Sequence, residues 1–230
     1  MEEYPEEGSW LTGRMEEAFR AALTRAYESI RVHPDQYLAH LQRAHGLPVE
    51  SFDEMFLVPV AELDSIARRT MRGAMKMAGA EGAGLGLGGF ATVVPDMGLL
   101  AAITLRMLQR LSLVYGFEYN TDEEVAELWL ATATAAGVDL GRDLLERTVL
   151  RSLVESVIAR ISERFGAEFA EKAAARAVPI LSSVVGALLN YYFVRAWGNR
   201  ALAHFRQRHL EERGRRSGRS ALLGSPSDLR

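Results

Sequence analysis

The sequence predicts an all-α fold, a single compact bundle of about seven or eight helices with two central apolar, glycine-containing segments. Three observations predict it. Apolar residues recur at intervals of three and four along nearly the whole chain, no stretch shows the two-residue alternation of a half-buried strand, and helix start and stop residues punctuate the periodic runs. The chain has 230 residues, 48% of them hydrophobic and 25% charged. That length suffices to bury roughly 70% of the unfolded surface, and the composition excludes disorder or low complexity as a description of the whole.

In chain order, Met15, Phe19, Ala22, Leu23, Ala26, Tyr27 and Ile30 predict a first helix from Ser9 to about Val32, ended by Pro34. A short second helix turns Tyr37, Leu38 and Leu41 inward. Gly46, Pro48, Ser51 and Asp53 then read as a loop, and Pro59 suits the first position of a helix carrying Leu63, Ile66, Ala67, Met71, Ala74, Met75 and Ala78. That helix leads into Gly82–Phe90, GAGLGLGGF, within a run of 24 residues between Glu81 and Arg106 whose only charge is Asp96. Leu99, Leu100, Ile103, Met107, Leu111 and Val114 continue as a helix stopped by Gly116, with Asp96 in its first turn, where the dipole favours a carboxylate. Thr121 and Glu124 form a capping box for a helix that ends near Gly137. A long helix is expected from about Arg142 to Phe165 with Gly166 as its stop, followed by a short piece from Ala167 to Arg176. The second uncharged stretch, Ala177–Val194, covers 18 residues and precedes a basic run from Arg195 to Arg219. In domain terms, residues 1–8 read as an acidic tail, 9–212 as the helical domain and 213–230 as a basic flexible tail.

Several chemistries are excluded by composition. There is no cysteine, hence no disulfide frame, no thiolate zinc site and no cysteine nucleophile. The net charge of −3 offers no global field for nucleic acid, and all basic residues except Lys76 and Lys172 are arginine, a bias that reflects coding habit more simply than a site. Glu2, Glu3, Glu6 and Glu7 are the opposite of a cationic signal peptide, so no export signal is expected and the protein is expected on the cytoplasmic side.

Gly84, Gly86 and Gly89 match the spacing G-x-G-x-x-G, but no strand precedes them, and neither a Walker lysine nor a ribose-binding acid follows. Packing explains them better. Gly82 with Gly86, Gly84 with Gly88, and Ser182 with Gly186 are small residues four apart, the spacing that lets helices approach closely in membranes and in tight soluble cores. Both uncharged stretches barely reach the ~20 residues needed to cross a bilayer, so buried central helices and membrane association both stay open. Should the second stretch enter a bilayer, the arginines after it stay cytoplasmic. The histidines, His33, His40, His45, His204 and His209, scatter over helix ends and polar faces and read as surface residues; no second histidine completes a zincin helix and no G-x-S-x-G elbow presents a serine. No catalytic residue, metal or cofactor is therefore expected.

Two segments resemble the EcsC family. GGFATVVPDMGLLAAITLRMLQRLSLVYGFEYNTDEE (Gly88–Glu124) is similar to its central signature, and AVPILSSVVGALLNYYFVRAWGNRALAHF (Ala177–Phe205) to its late Pro, Gly, Asn-Tyr-Tyr-Phe pattern. With Trp10 the resemblance spans nearly the whole chain. The matching positions are Gly88, Gly89, Pro95, Asp96, Tyr115, Gly116, Gly186, Asn190, Tyr191 and Tyr192, mostly the residue types of a special backbone path or an apolar groove rather than of a nucleophile and base. The family takes its name from a protein encoded beside a bacterial ABC exporter. Hydrolase and peptidase labels have been attached to similar proteins, but no catalytic residues carry over.

The resulting expectation is a non-enzymatic, membrane-associated protein on the cytoplasmic side that contacts membrane, lipid or a membrane-protein partner such as an ABC exporter, with no nucleic-acid partner. Contact candidates are Gly84, Gly86, Gly88, Gly89, Pro95, Asp96, Gly186, Asn190, Tyr191 and Tyr192, with Arg195, Arg200, Arg206 and Arg208 as anionic-lipid candidates. The alternatives are a soluble bundle that binds an apolar ligand in an interior groove and, from the family labels alone, a hydrolase. Oligomeric state is left open.

Overall fold

The computed structural model describes residues 6–29, 31–86, 93–138, 150–175 and 182–223, and among them every regular element is helical. The α-helices are α1 (Glu6–Ser29), α2 (Pro34–His45), α3 (Val60–Gly86), α4 (Val93–Val114), α5 (Asp122–Ala136), α6 (Leu150–Ala175) and α7 (Ser182–Leu223), with a 3-10 helix at Phe52–Leu57. The all-helical bundle is as the periodicity predicts.

Local chemistry sets many of the boundaries. Pro34 begins α2, and Gly46, at φ +66°, ends it with its N–H on Gln42 O. The Thr121–Glu124 capping box forms in full at the start of α5. Gly116 (φ +85°) closes α4 in a Schellman motif, its N–H donating to Leu113 O and that of Phe117 to Ser112 O, both at 3.0 Å. Gly137 closes α5 in the same way, with Val138 N–H on Ala133 O.

Helix α4 is buried on nearly all sides, from Met97 and Leu100 through Met107, Leu108 and Leu111 to Val114, which marks it as the central helix. Helix α7 lies mainly along α3 and also reaches α4, α5 and the 3-10 helix, while α1 packs on α6 and α4. Phe19 of α1, Phe165 of α6, and Phe193 and Trp197 of α7 interlock, with neighbouring rings 5.2 to 6.0 Å apart across Phe19–Phe165, Phe165–Phe193 and Phe193–Trp197.

Three expectations are corrected, and one is given its extent. Residues 52–57, read as loop, form the 3-10 helix and bury Phe52, Met55 and Phe56; burying these three side chains outweighs the turn-forming Ser51 and Asp53. Gly166 does not stop a helix, for α6 runs through it to Ala175. A glycine costs a helix interior about 1 kcal/mol, and here neither proline nor a left-handed residue follows it at once to turn that cost into an exit. Residues 213–223, read as tail, continue α7, and Arg213 and Arg216 tie them down by donating to Val58 O and Asp53 Oδ1. Helix α3 extends through Gly82 and Gly84 to Gly86, so the glycine-rich run is helical that far. The expected first turns of the long helix, residues 142–149, lie outside the described residues.

Candidate functional site

A cavity of about 550 Å³ opens between α2, α3 and α4. Helix α2 contributes Tyr37, His40 and His45; α3 contributes Arg69, Thr70, Gly73, Ala74 and Met77; α4 contributes Leu99, Ala102, Ile103, Arg106, Met107 and Arg110. Its size is that of a pocket for one small ligand.

The register of the helices gives the cavity two unlike ends. Met71 of α3 and Met107 of α4 both meet Gly198 of α7, where a Cβ would lie 2.7 Å from Met71 Cγ and 3.2 Å from Met107 Sδ, so these two residues stand level. From Met71 to the end of α3, and from the start of α4 to Met107, the rise is about 21 to 23 Å each way, and a parallel pair would have to be joined over about 40 Å or more, beyond the reach of the few residues between Gly86 and Val93, so the two helices run antiparallel. Arg69 and Thr70 therefore share one end with Arg110, and Met77 shares the other with Leu99, Ala102 and Ile103. Arg106 lies one turn from Arg110 toward the middle.

The polar end is organised by α2. Buried Tyr37 places its hydroxyl 3.5 Å from Thr70 Oγ1, and the Arg110 guanidinium sits 5.8 Å over the Tyr37 ring. Burial pushes the Tyr37 phenol up, which keeps it neutral. Burial, then the charges of His40 and Arg69, push His45 down, so it too is neutral at pH 7. Arg110 is half-buried and its Nε has no hydrogen-bond partner, while Arg69 and Arg106 are exposed. Among the described residues no carboxylate lines the cavity, and none forms a salt bridge with Arg69, Arg106 or Arg110. The segment that leads into α2 is pinned from behind: Val32 N–H donates to Gln109 Oε1 at 2.9 Å, and Tyr119 Oη donates to Val32 O at 2.6 Å.

A second feature is a buried polar network. Tyr115 Oη donates to Asp64 Oδ1 at 2.7 Å, and Arg206 Nε donates to Asp64 Oδ2 at 3.0 Å. Burial, then the bond to Asp64, push the Tyr115 phenol far above its usual range, so it is held as a neutral donor and not as a nucleophile. His209, read from the sequence as a surface residue, is fully buried. Its ring stacks on Phe56 at 4.9 Å and its Nδ1 lies 2.9 Å from Tyr115 O. A carbonyl only accepts, so Nδ1 carries the hydrogen and Nε2 is left bare, buried without a partner. Burial pushes this imidazole down. The network locks the end of α4 onto α3 and α7.

The residues singled out in the sequence are spread over the molecule. Gly88 and Gly89 lie outside the described residues; Gly84 and Gly86 fall in the last turns of α3, Pro95 and Asp96 in the first turn of α4, and Gly186 in the second turn of α7. Asn190 is buried, Tyr191 is half-buried against Gly79, and Tyr192 is 55% exposed. Arg195 is exposed, Arg200 donates to Ala135 O, Arg206 binds Asp64, and Arg208 pairs with Glu127 while lying 4.4 Å over the Phe117 ring. Of those whose surroundings are described, Asn190, Tyr191, Tyr192, Arg195, Arg200, Arg206 and Arg208, none lines the cavity. Its arginines were missed because each reads alone as an ordinary surface residue. The available signal was Arg106 and Arg110, four apart on an otherwise apolar helix.

Comparison with known proteins shows the family. A model of the EcsC protein family matches residues 9–210. Protein EcsC of Bacillus subtilis (strain 168) is 28% identical over 157 residues, which cover 66% of this chain and 66% of that protein. No solved structure matches.

Proposed function

The chain belongs to the EcsC protein family, and on that premise we propose that it is a non-enzymatic lipid-binding protein that holds an acyl chain in the cavity between α2, α3 and α4. The observation that carries this reading is the cavity itself. Its α4 wall, Leu99 to Arg110, comes from the segment that resembles the family signature. Among the described residues one helix, Met97–Val114, is long and apolar enough to cross a membrane, and most of it is buried in the bundle. Such a helix is better used as the wall of an interior site than as a span.

The experiment is native mass spectrometry of the full chain purified without detergent, followed by delipidation and re-exposure to vesicles that contain phosphatidylglycerol. A copurified lipid mass, or uptake of one from the vesicles, is expected. A clean apo mass in both conditions overturns the reading.

Association with a membrane surface is a second reading, favoured by exposed Leu188 and Tyr192 on α7, close to exposed Arg195. Flotation with anionic vesicles at low salt tests it, and full recovery in the soluble fraction rules it out. The ABC-exporter partner rests on the family's name alone.

A further inference from the structure

We infer that the cavity takes a single-chain amphiphile with an anionic head, the head seated between Arg110, Arg106 and Arg69 and the chain running toward Met77 and Leu99. This inference rests on the acyl-chain reading above and specifies the ligand class. Among the described residues three arginines and no carboxylate face the same space, and none of the three has an ion-pair partner. Guanidinium groups match carboxylate and phosphate oxygens with two parallel hydrogen bonds, so a bound anion would supply the counter-charge. Arg110 Nε, buried and unpartnered, is a donor waiting for an acceptor.

Among the described residues the opposite end has only aliphatic, thioether and glycine surface, so a second charge there would be desolvated without compensation. From Leu99 to Arg110 the helix axis extends about 16 Å at 1.5 Å per residue. One chain fills such a slot. The antiparallel register of α3 and α4 fixes the orientation, head toward Tyr37 of α2 and tail toward Met77 and Leu99.

The test is calorimetric titration of the delipidated full chain with dodecanoate, dodecyl phosphate, dodecanol and inorganic phosphate, at low and high salt. Both amphiphilic anions are expected to bind at least about tenfold more tightly than dodecanol, because one or two charge-assisted pairs distinguish them. High salt, Arg106→Gln and Arg110→Gln should each narrow that gap while dodecanol affinity stays unchanged. Arg106 is exposed, so its variant keeps the fold even if the Arg110 variant does not. The tighter of the two anions tells a carboxylate from a phosphate head. Equal binding of dodecanol and the anions overturns the head assignment and leaves the acyl-chain reading standing. Phosphate alone binding as tightly as dodecyl phosphate overturns the amphiphile. A parallel loss of dodecanol affinity in Arg106→Gln shows a structural role and also overturns the assignment. No binding of any of the four removes the acyl-chain reading as well.

Discussion

Gly116→Ala is the sharpest probe of the packing beneath the Tyr115 network. Gly116 has φ +85°, and a Cβ built there would lie 3.0 Å from Phe52 O, 3.0 Å from Phe56 Cε2 and 3.2 Å from Met55 Cβ. The left-handed backbone alone costs a non-glycine residue about 1 to 2 kcal/mol. The crowding adds about 1 to 3 kcal/mol, since a backbone carbonyl cannot rotate away as a side-chain tip can. Their sum is about 2 to 5 kcal/mol, a fall in Tm on the order of 4 to 20 °C for a chain this long. Gly46→Ala is the internal control. It has φ +66° and nothing within 4 Å of the built Cβ, so only the dihedral cost applies. Urea denaturation followed by circular dichroism measures both, with an unchanged slope showing that the denatured state is unaffected. Equal losses in the two variants, or a loss under about 1 kcal/mol at Gly116, would refute the claim that the 3-10 helix presses on this turn.

Three further outcomes follow from the described contacts. Asp64→Ala strands the Tyr115 hydroxyl and the Arg206 guanidinium, and thermal unfolding should show a loss of about 3 kcal/mol, with Asp64→Asn milder because it keeps an acceptor. His209 is buried neutral, so the unfolded chain binds its proton first; its contribution is present at neutral pH and is lost as pH falls below the ordinary imidazole value of about 6.5, and His209→Gln should flatten that part of a stability-against-pH curve, a curve identical to the parent's being the contrary result. Gly198→Leu should destabilise by about 2 to 3 kcal/mol through overpacking on Met71 and Met107, and Met71→Ala should restore part of the loss, a coupling that a double-mutant cycle reads directly.

What the sequence revealed and what it hid divide along a physical line. The Thr121–Glu124 box, Pro34, and the glycines at positions 116 and 137 were legible because each is a local device, complete within four or five residues. Gly166 and residues 213–223 were misread because their fate is decided across the bundle. A glycine ends a helix only if something turns the chain away, and a basic tail stays helical if Val58 O and Asp53 receive its arginines. His209 shows the same limit, since the partners that bury it, Phe56 and Tyr115, lie far away in the sequence. The surroundings of Gly86 and Gly186, expected as close-contact glycines, lie outside the description. Among the described residues Gly198 lets helices approach closely, outside both apolar stretches and recognisable only from the side chains opposite it.

The arginines of α7 sharpen where an anionic ligand belongs. Counted along the sequence they look like a cationic surface, yet Arg206 is bound to Asp64, Arg208 to Glu127, and Arg216 to Asp53 and Glu212, while Arg200 and Arg213 donate to backbone carbonyls of α5 and of the 3-10 helix's end. These bonds join one long helix to three other elements, and an anion that recruits those guanidinium groups must first break them. Arg69, Arg106 and Arg110 face no such competition among the described residues. Fewer charges stand around the cavity than along α7, but they converge on a half-enclosed space whose low-dielectric walls strengthen each attraction. The strongest anion affinity is therefore expected at the α2–α3–α4 cavity. Substituting Arg106 should weaken it more than substituting Arg208, the larger number of arginines on α7 notwithstanding.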